Sequence, residues 1–374
     1  MKKSIALILA SEPKYSETFI KEFISGLRKN ENIVLDIYFD KKMTISNIII
    51  NFFYFFKIPL FYKRVLTYYS QIEPQIKSKH KIWSLVNNLE LLTSQRQYDY
   101  VHFGFANLIQ NRAHLGVTIG AKTSISLRGY DITYYPVMHS NFYKSSWKYI
   151  DKMQYNSTDL YNWALFWGAG EDIESHLISA AVNNSLIVNI PRKTEDIFKI
   201  VSVGRLHWKK GFETAIYAIN ELIKKGLKVK YRIIGDGPEL EKLKYLICYF
   251  KLDEVIEIIG SLPHSQVIAE IDNSDLVVIP SIQEGCSNVA LEAQSRGRFC
   301  IVSDSEGMNE VVENNKTGYI FPRNDFNKLA ELILEYSNID NIRKLELSEY
   351  AVNRIRMKFS REQQMTKWNN FFTN

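Results

Sequence analysis

The stretch IFKIVSVGRLHWKKGFETAIYAINELIKKG, Ile197 to Gly226, decides how the chain is read. It opens on a run of Val and Ile, as expected of a strand covered on both faces. It closes on Phe212, Ala215, Ile216, Ile219, Leu222 and Ile223, which recur at helical spacing before Gly226 ends the element. Arg205 and Lys210 fall in the turn between. A strand, a basic turn and an amphipathic helix make the first half of a βαβ unit. In open parallel sheets, ligands gather at the carboxyl ends of strands, where helix N-termini add free N–H groups and partial positive charge. At such a place Arg205 can fork onto a diphosphate and Lys210 can add a point charge. Read alone, the turn is equally a solvated basic loop.

The alternation runs through most of the chain. SIALILA, IVLDIYF, YDYVHFGF, TSISLRG, KVKYRIIG, VIEIIG, DLVVIPS and FCIVSD read as further strands. Leu240, Leu243, Ile247 and Phe250 repeat the helical pattern. The 374 residues exceed one ordinary core. In IPRKTEDIF, near Pro191, a proline and charges interrupt the pattern. The expectation is an α/β chain of two doubly wound, Rossmann-like domains facing across a cleft, residues 1–190 and 191–354. Residues 355–374, with Ile355, Phe359, Trp368 and Phe372 at helical positions, are expected to form a helix crossing back to the first domain.

A hydrophobic share of 46% and a charged share of 24% are those of a folded globular chain. Three cysteines without a CxxC exclude a disulfide scaffold and a zinc module, and fit a reducing, cytoplasmic setting. Ile5 to Ala10 is too short for the apolar core of a signal peptide. The net charge of +6 lies wholly in residues 1–190, with 21 Lys/Arg against 15 Asp/Glu. Such an excess faces anionic lipid or phosphorylated substrates. No helix-turn-helix, zinc-finger or RNP pattern supports nucleic acid.

Three more segments carry chemistry. In RIIGDGPELEKL the third position of a GxGxxG is Leu240, so the dinucleotide fingerprint fails. Gly235 and Gly237 read instead as a tight strand-to-helix turn beside a nucleotide. In IIGSLPHSQ, Ser261 and Leu262 offer backbone against which a base can lie. EGCSNVALE places Glu284 in a loop, Ser287 or Asn288 as helix cap, and Glu292 about one turn inside the helix. The two carboxylates need not share a helical face, because loop and helix can reach one ligand together. A capped helix with an exposed Glu explains the same residues. SDSEGMNEVVENNKTGYIFP repeats the strand-turn-helix logic, with Glu306 and Gly307 in a polar turn.

GRLHWKKG, IGDGP, GSLP, EGCSNVALEA and EGMNEVVENNKTGYIFP, in this order, resemble the signature of the GT-B glycosyltransferases of family 4, over about residues 198–325. The resemblance implies transfer of a sugar from a nucleotide-sugar, with retention of configuration and without a metal or other cofactor. Arg205 and Lys210 match the pair holding the donor diphosphate. Glu284 and Glu292 match the E-x7-E motif, the first approaching the donor sugar and the second the ribose. Backbone over Gly285, Cys286, Ser287, Asn288 and Val289 would meet sugar and phosphate. No D-x-D and no histidine ligand spacing is present.

The first half resembles the acceptor side of bacterial surface-polysaccharide transferases. In YSETFI, Ser16, Glu17 and Thr18 are expected beside the phosphates; Ser16 read by itself is as well a helix N-cap. His102 in YDYVHFGF matches a D-x-x-H strand end, with Gly104 where a second histidine is frequent. SLRGYDIT resembles HGxD: Gly129 and Asp131 match, but Arg128 stands where the cleft histidine is usual. Arginine cannot serve as a base at neutral pH, but it can bind phosphate or a charged sugar, or pair with Asp131. Front-side retention needs no enzymic nucleophile, because the donor phosphate can take the acceptor proton.

Ile48 to Tyr69 is apolar and aromatic, broken by Asn51, Lys57 and Pro59, so it is not a spanning helix. Residues 57–96 hold seven Lys/Arg and two Asp/Glu, which suits a surface resting on the inner leaflet and admitting a lipid-diphosphate-linked acceptor. A pair of core helices with an ordinary basic face fits as well. Two other functions share these features: a sugar-nucleotide epimerase of the same fold, and a non-catalytic donor-binding subunit. A hydrolase with two flanking carboxylates leaves the phosphate-binding elements unexplained.

Overall fold

A computed structural model describes residues 2–13, 18–40, 58–72, 78–139, 141–190 and 196–374. Along β1 (Lys3–Leu9), alternate side chains enter different cores. Ile5, Leu7 and Leu9 pack with Ile20, Phe23 and Leu27 of the helix Thr18–Lys29. Ala6 and Ile8 pack on the other face with Val101, Phe103 and Ile125. A strand buried on both faces needs no polar alternation, and this explains its apolar run.

The chain divides into two compact units. The first holds residues 1–178 and 365–374. Its six strands are β1, β2 (Ile33–Phe39), β3 (Tyr100–Phe103), β4 (Lys122–Leu127), β5 (Lys152–Tyr155) and β6 (Glu174–Leu177). They lie in the order β2-β1-β3-β4-β5-β6, all parallel. The second unit, residues 179–364, holds β7 (Phe198–Val203), β8 (Val229–Ile234), β9 (Ile256–Gly260), β10 (Leu276–Ile279), β11 (Phe299–Ser303) and β12 (Gly318–Phe321). Its order is β12-β11-β10-β7-β8-β9, again parallel, with β7 beside both β8 and β10. This is the doubly wound arrangement, and the strand order reverses between β7 and β10.

Two differences from the sequence reading have physical causes. The break between units falls at 178/179, before Pro191. Residues 182–190 are stitched into the second unit: Val188 N–H donates to the Ser295 carbonyl (3.0 Å), and Arg298 Nη1 donates to the Ile190 carbonyl (2.7 Å). The C-terminal segment is two helices, Asn341–Lys358 and Arg361–Thr373. The break between them pairs with Val182, whose N–H donates to the Phe359 carbonyl while its carbonyl accepts from Arg361 N–H. Trp368, Phe371 and Phe372 then enter the first unit's core. Lys152, wholly buried, donates from Nζ to the Phe371 carbonyl (3.1 Å) and pairs with Glu174 (2.9 Å).

Candidate functional site

In the second unit, the residues singled out in sequence lie on loops leaving the carboxyl ends of neighbouring strands. Glycines set how closely these loops approach. Gly235 has φ +146°, and a Cβ there would sit 1.9 Å from the Gly204 carbonyl oxygen. Leu206 N–H donates to the Asp236 carbonyl (2.9 Å), and Glu239 N–H donates back to the Leu206 carbonyl (3.0 Å). The GDG turn therefore buttresses the turn that carries Arg205. Gly211, at φ +62°, brings the β7 loop against β10: a Cβ would meet the Pro280 carbonyl oxygen at 2.1 Å. Ile282 N–H donates to the Lys209 carbonyl (2.7 Å), closing the two loops together.

That closure places Lys210 Nζ on the Glu284 carboxylate, in an ion pair with little exposure on the Glu284 side. Ser281 Oγ donates to the same carboxylate oxygen (3.4 Å). Arg205 is exposed and makes no ion pair among the described residues. The helix Asn288–Ser295 is capped by Ser287, whose side chain accepts from Ala290 N–H (3.3 Å). Its first-turn N–H groups and the Gly285–Cys286 backbone begin beside Glu284, with Asn288 exposed and Val289 partly buried. Burial pushes the Cys286 thiol up to about 12, so it is not a nucleophile.

Glu292, in the middle of this helix, pairs through Oε1 with His264 Nε2 (2.9 Å). His264 opens the helix His264–Asp272, directly after Ser261, Leu262 and Pro263 on the β9 loop. The carboxylate raises the imidazole's pKa above its ordinary value. Three other residues were not singled out from sequence as site residues. Glu306, after β11, contacts Arg323 (3.3 Å), and Arg323 also donates to the Ile282 carbonyl (3.3 Å). Burial lowers the Lys209 pKa, against the pull of Glu306. The second carboxylate oxygen of Glu306 is buried with no hydrogen-bond partner among the described residues. Their only sequence signal is the polar turn after a strand.

A cavity of about 630 Å³ in the same unit, lined by Lys199, Arg232, Glu254, Glu270 and Ser274 among others, contains none of these residues. Its guanidinium is already taken by Glu257 and Glu270. The described residues contain no cluster of three or more metal-ligating side chains.

In the first unit the outcome is mixed. Ser16 and Glu17 lie outside the described residues, and Thr18 opens the first helix. His102, matched as a cleft residue, is 0% exposed, which corrects that expectation. Its ring nitrogens contact Ser124 Oγ (2.9 Å) and Ser126 Oγ (3.1 Å), and Trp368, Phe371 and Phe372 meet it edge-on. Burial, assisted by Arg128, drives its pKa down to about 3, so it is a neutral core residue. Arg128 donates from Nε to the Gly104 carbonyl (2.9 Å) and lies over the rings of Phe105 and Phe23. Burial lowers it to about 10, still charged at neutral pH. Buried Asp131 instead accepts from the backbone N–H groups of Ala106 (2.9 Å), Gly129 (2.8 Å) and Arg128 (3.1 Å). It is a clamp on the turn after β4.

Residues 185–354 match the model of the family described as Glycosyl transferases group 1. The provisionally named colanic acid biosynthesis glycosyltransferase WcaL of Salmonella typhimurium is 34% identical over 170 residues, 44% of this chain and 41% of that protein. The chain spans less than half the length of the curated relatives it matches first. The sucrose-phosphate synthase of Thermosynechococcus elongatus superposes with TM-score 0.72 at 15% identity, covering 99% of this chain and 98% of that one. Anabaena Alr3699/HepE, solved in complex with UDP, gives 0.70 at 15% identity, covering 98% of each. At these identities the likeness is one of fold, GT-B.

Proposed function

We propose that this chain, whose residues 185–354 match the model of the glycosyl transferases group 1, moves a sugar from a UDP- or GDP-sugar to a glycan or lipid-linked acceptor in bacterial surface-polysaccharide synthesis. The observation that carries this reading is the Lys210–Glu284 pair at the point where the strand order reverses, with exposed Arg205 on the same loop as Lys210. Arg205 and Lys210 take the charge of the leaving diphosphate, aided by the N–H groups that open the helix Asn288–Ser295. Glu284 orients the sugar hydroxyls, and Glu292 takes the ribose in place of His264. The diphosphate oxygen accepts the acceptor's proton as the glycosidic bond forms on the face the leaving group departs, so configuration is retained. The two cations supply the charge stabilisation a divalent metal gives elsewhere, and the reaction is metal-independent. The relatives named for polysaccharide biosynthesis support the pathway class.

The helix Ile58–Gln71 supports a membrane-adjacent acceptor. It exposes Leu60, Tyr62, Leu66 and Tyr69 beside Lys63, the mixture that suits an anionic lipid surface. Residues 48–57 of the segment predicted for this role lie outside the described residues. No helix among the described residues is long and apolar enough to cross a membrane. A thermal-shift screen over nucleoside diphosphates tests the donor assignment: stabilisation that Arg205→Ala weakens supports it, and no stabilisation by any of them overturns it.

A further inference from the structure

Ser281, Ile282 and Gln283, which lead up to Glu284, are held by their backbone from three other parts of the second unit. The Ser281 carbonyl accepts from Ser303 Oγ at the end of β11. Ile282 N–H donates to the Lys209 carbonyl (2.7 Å), on the loop after β7, and Gln283 N–H donates to the same oxygen (3.2 Å). The Ile282 carbonyl accepts from Arg323 Nη1 (3.3 Å), on the loop after β12. The Ile282 peptide is therefore gripped at both its polar groups, two residues before the carboxylate that Lys210 meets.

Arg323 is set in place at its base and at its tip. Its N–H donates to Asp304 Oδ1 (2.9 Å). Its guanidinium meets Asp304 through Nε (3.3 Å) and Glu306 through Nη1 (3.3 Å). Both carboxylates lie on the loop after β11. The second carboxylate oxygen of Glu306 is buried, so that side chain is packed rather than turned to solvent. Lys209 is the other cation drawn to Glu306. Two carboxylates thus face two cations here, and the guanidinium is not a spare charge for a diphosphate. A planar guanidinium can span two carboxylates and a carbonyl at once, which a single ammonium does poorly.

The Arg323 side chain is 42% exposed. Ion pairs in such a setting add little to folding stability. Their consequence lies in where they hold the Ile282 peptide, because small misplacements of a group acting on a substrate are costly to turnover. We propose that Arg323 is a positioning residue for Glu284: by holding the Ile282 carbonyl it fixes the peptide that aims this carboxylate at the donor sugar. Aiming Glu284 at a sugar rests on the glycosyltransferase reading; the clamp on Ile282 does not.

The test uses the full chain as wild type, Arg323→Ala, Arg323→Lys, Glu284→Gln and the Arg323→Ala/Glu284→Gln double variant. Each is measured for acceptor-dependent turnover of UDP- and GDP-sugars, for UDP and GDP affinity by calorimetry, for urea unfolding, and for hydrogen–deuterium exchange across residues 281–284. Arg323→Ala should lower kcat by about tenfold or more. It should leave nucleotide affinity and the urea midpoint close to wild type, and it should speed exchange of the Ile282 and Gln283 amides. Arg323→Lys, which restores one donor but not the fork, should recover part of the loss. In the double variant the Arg323 change should cost little beyond Glu284→Gln, because both act through one carboxylate.

Unchanged kcat in Arg323→Ala, or full additivity in the double variant, overturns the proposal. Weakened binding of UDP and GDP would make Arg323 a ligand contact and overturn it as well. A urea midpoint lowered enough to account for the lost activity would reduce the residue to a structural one. No turnover by the wild type with any donor would defeat the glycosyltransferase reading. Faster amide exchange in Arg323→Ala would then leave the clamp standing, and unchanged exchange would overturn it too.

Discussion

Lys210 and Glu284 form an ion pair that joins the loop after β7 to the loop after β10, the two strands between which the strand order of the second unit reverses. The pair exists because Gly211 lets the first loop approach the Pro280 carbonyl and because Ile282 is tied to Lys209. Removing one partner strands the other in a partly buried site. Glu284→Ala and Lys210→Ala are each expected to lower kcat by about 100-fold or more, in line with the loss of a charged group acting on the transition state. Glu284→Gln should retain donor binding better than it retains turnover. Steady-state kinetics with donor and acceptor varied separately check this.

The glycine packing makes a separate prediction. Gly235→Ala forces a Cβ into the Gly204 carbonyl and demands a left-handed φ from a residue that resists it. The turn carrying Arg205 should shift, weakening nucleoside diphosphate binding while both sheets persist. Calorimetry of nucleotide binding, with circular dichroism as control, reads this.

His264 and Glu292 predict a titration. The imidazole's pKa is raised by the carboxylate, so the ion pair holds below the ordinary histidine value and is lost as pH rises through the elevated one. Glu292→Gln should bring the His264 pKa back down in an NMR titration. A nucleotide that takes Glu292 through its ribose should do the same in the wild-type chain.

His102 predicts the opposite slope. Its pKa falls from 6.5 to about 3 on burial. The unfolded chain therefore binds more protons in that window, and stability present above pH 6.5 declines as pH drops towards 3. His114, lowered to about 4, adds in the same direction. His102→Gln should flatten part of this slope in urea unfolding at several pH values. It should also cost roughly 1–3 kcal/mol at neutral pH, from poorer hydrogen bonding to Ser124 and Ser126.

Legibility in the sequence followed the strength of local patterning. β1, β7 and β10 were readable because both faces are apolar. β5, with sequence KMQY, was not: Lys152 and Gln154 sit inside it wholly buried, Lys152 held by Glu174 and the Phe371 carbonyl and Gln154 donating from Nε2 to the Ile178 carbonyl. β6 and β12 are four-residue edge strands and lacked a run long enough to register. At the site, Glu284 was legible because loop and helix motifs sit together in sequence. His264, Glu306 and Arg323 reach the same region from other loops, and only the fold brings them there. His102 failed the other way, since a strand-end histidine reads identically whether it faces a ligand or a core.

The most direct measurement is nucleoside diphosphate release from a panel of UDP- and GDP-sugars, with and without saccharide acceptors, in EDTA. Release is expected to depend on acceptor, to persist in EDTA and to collapse in Glu284→Ala. No acceptor-dependent release from any donor, or activity lost in EDTA and restored by a divalent metal, would contradict it.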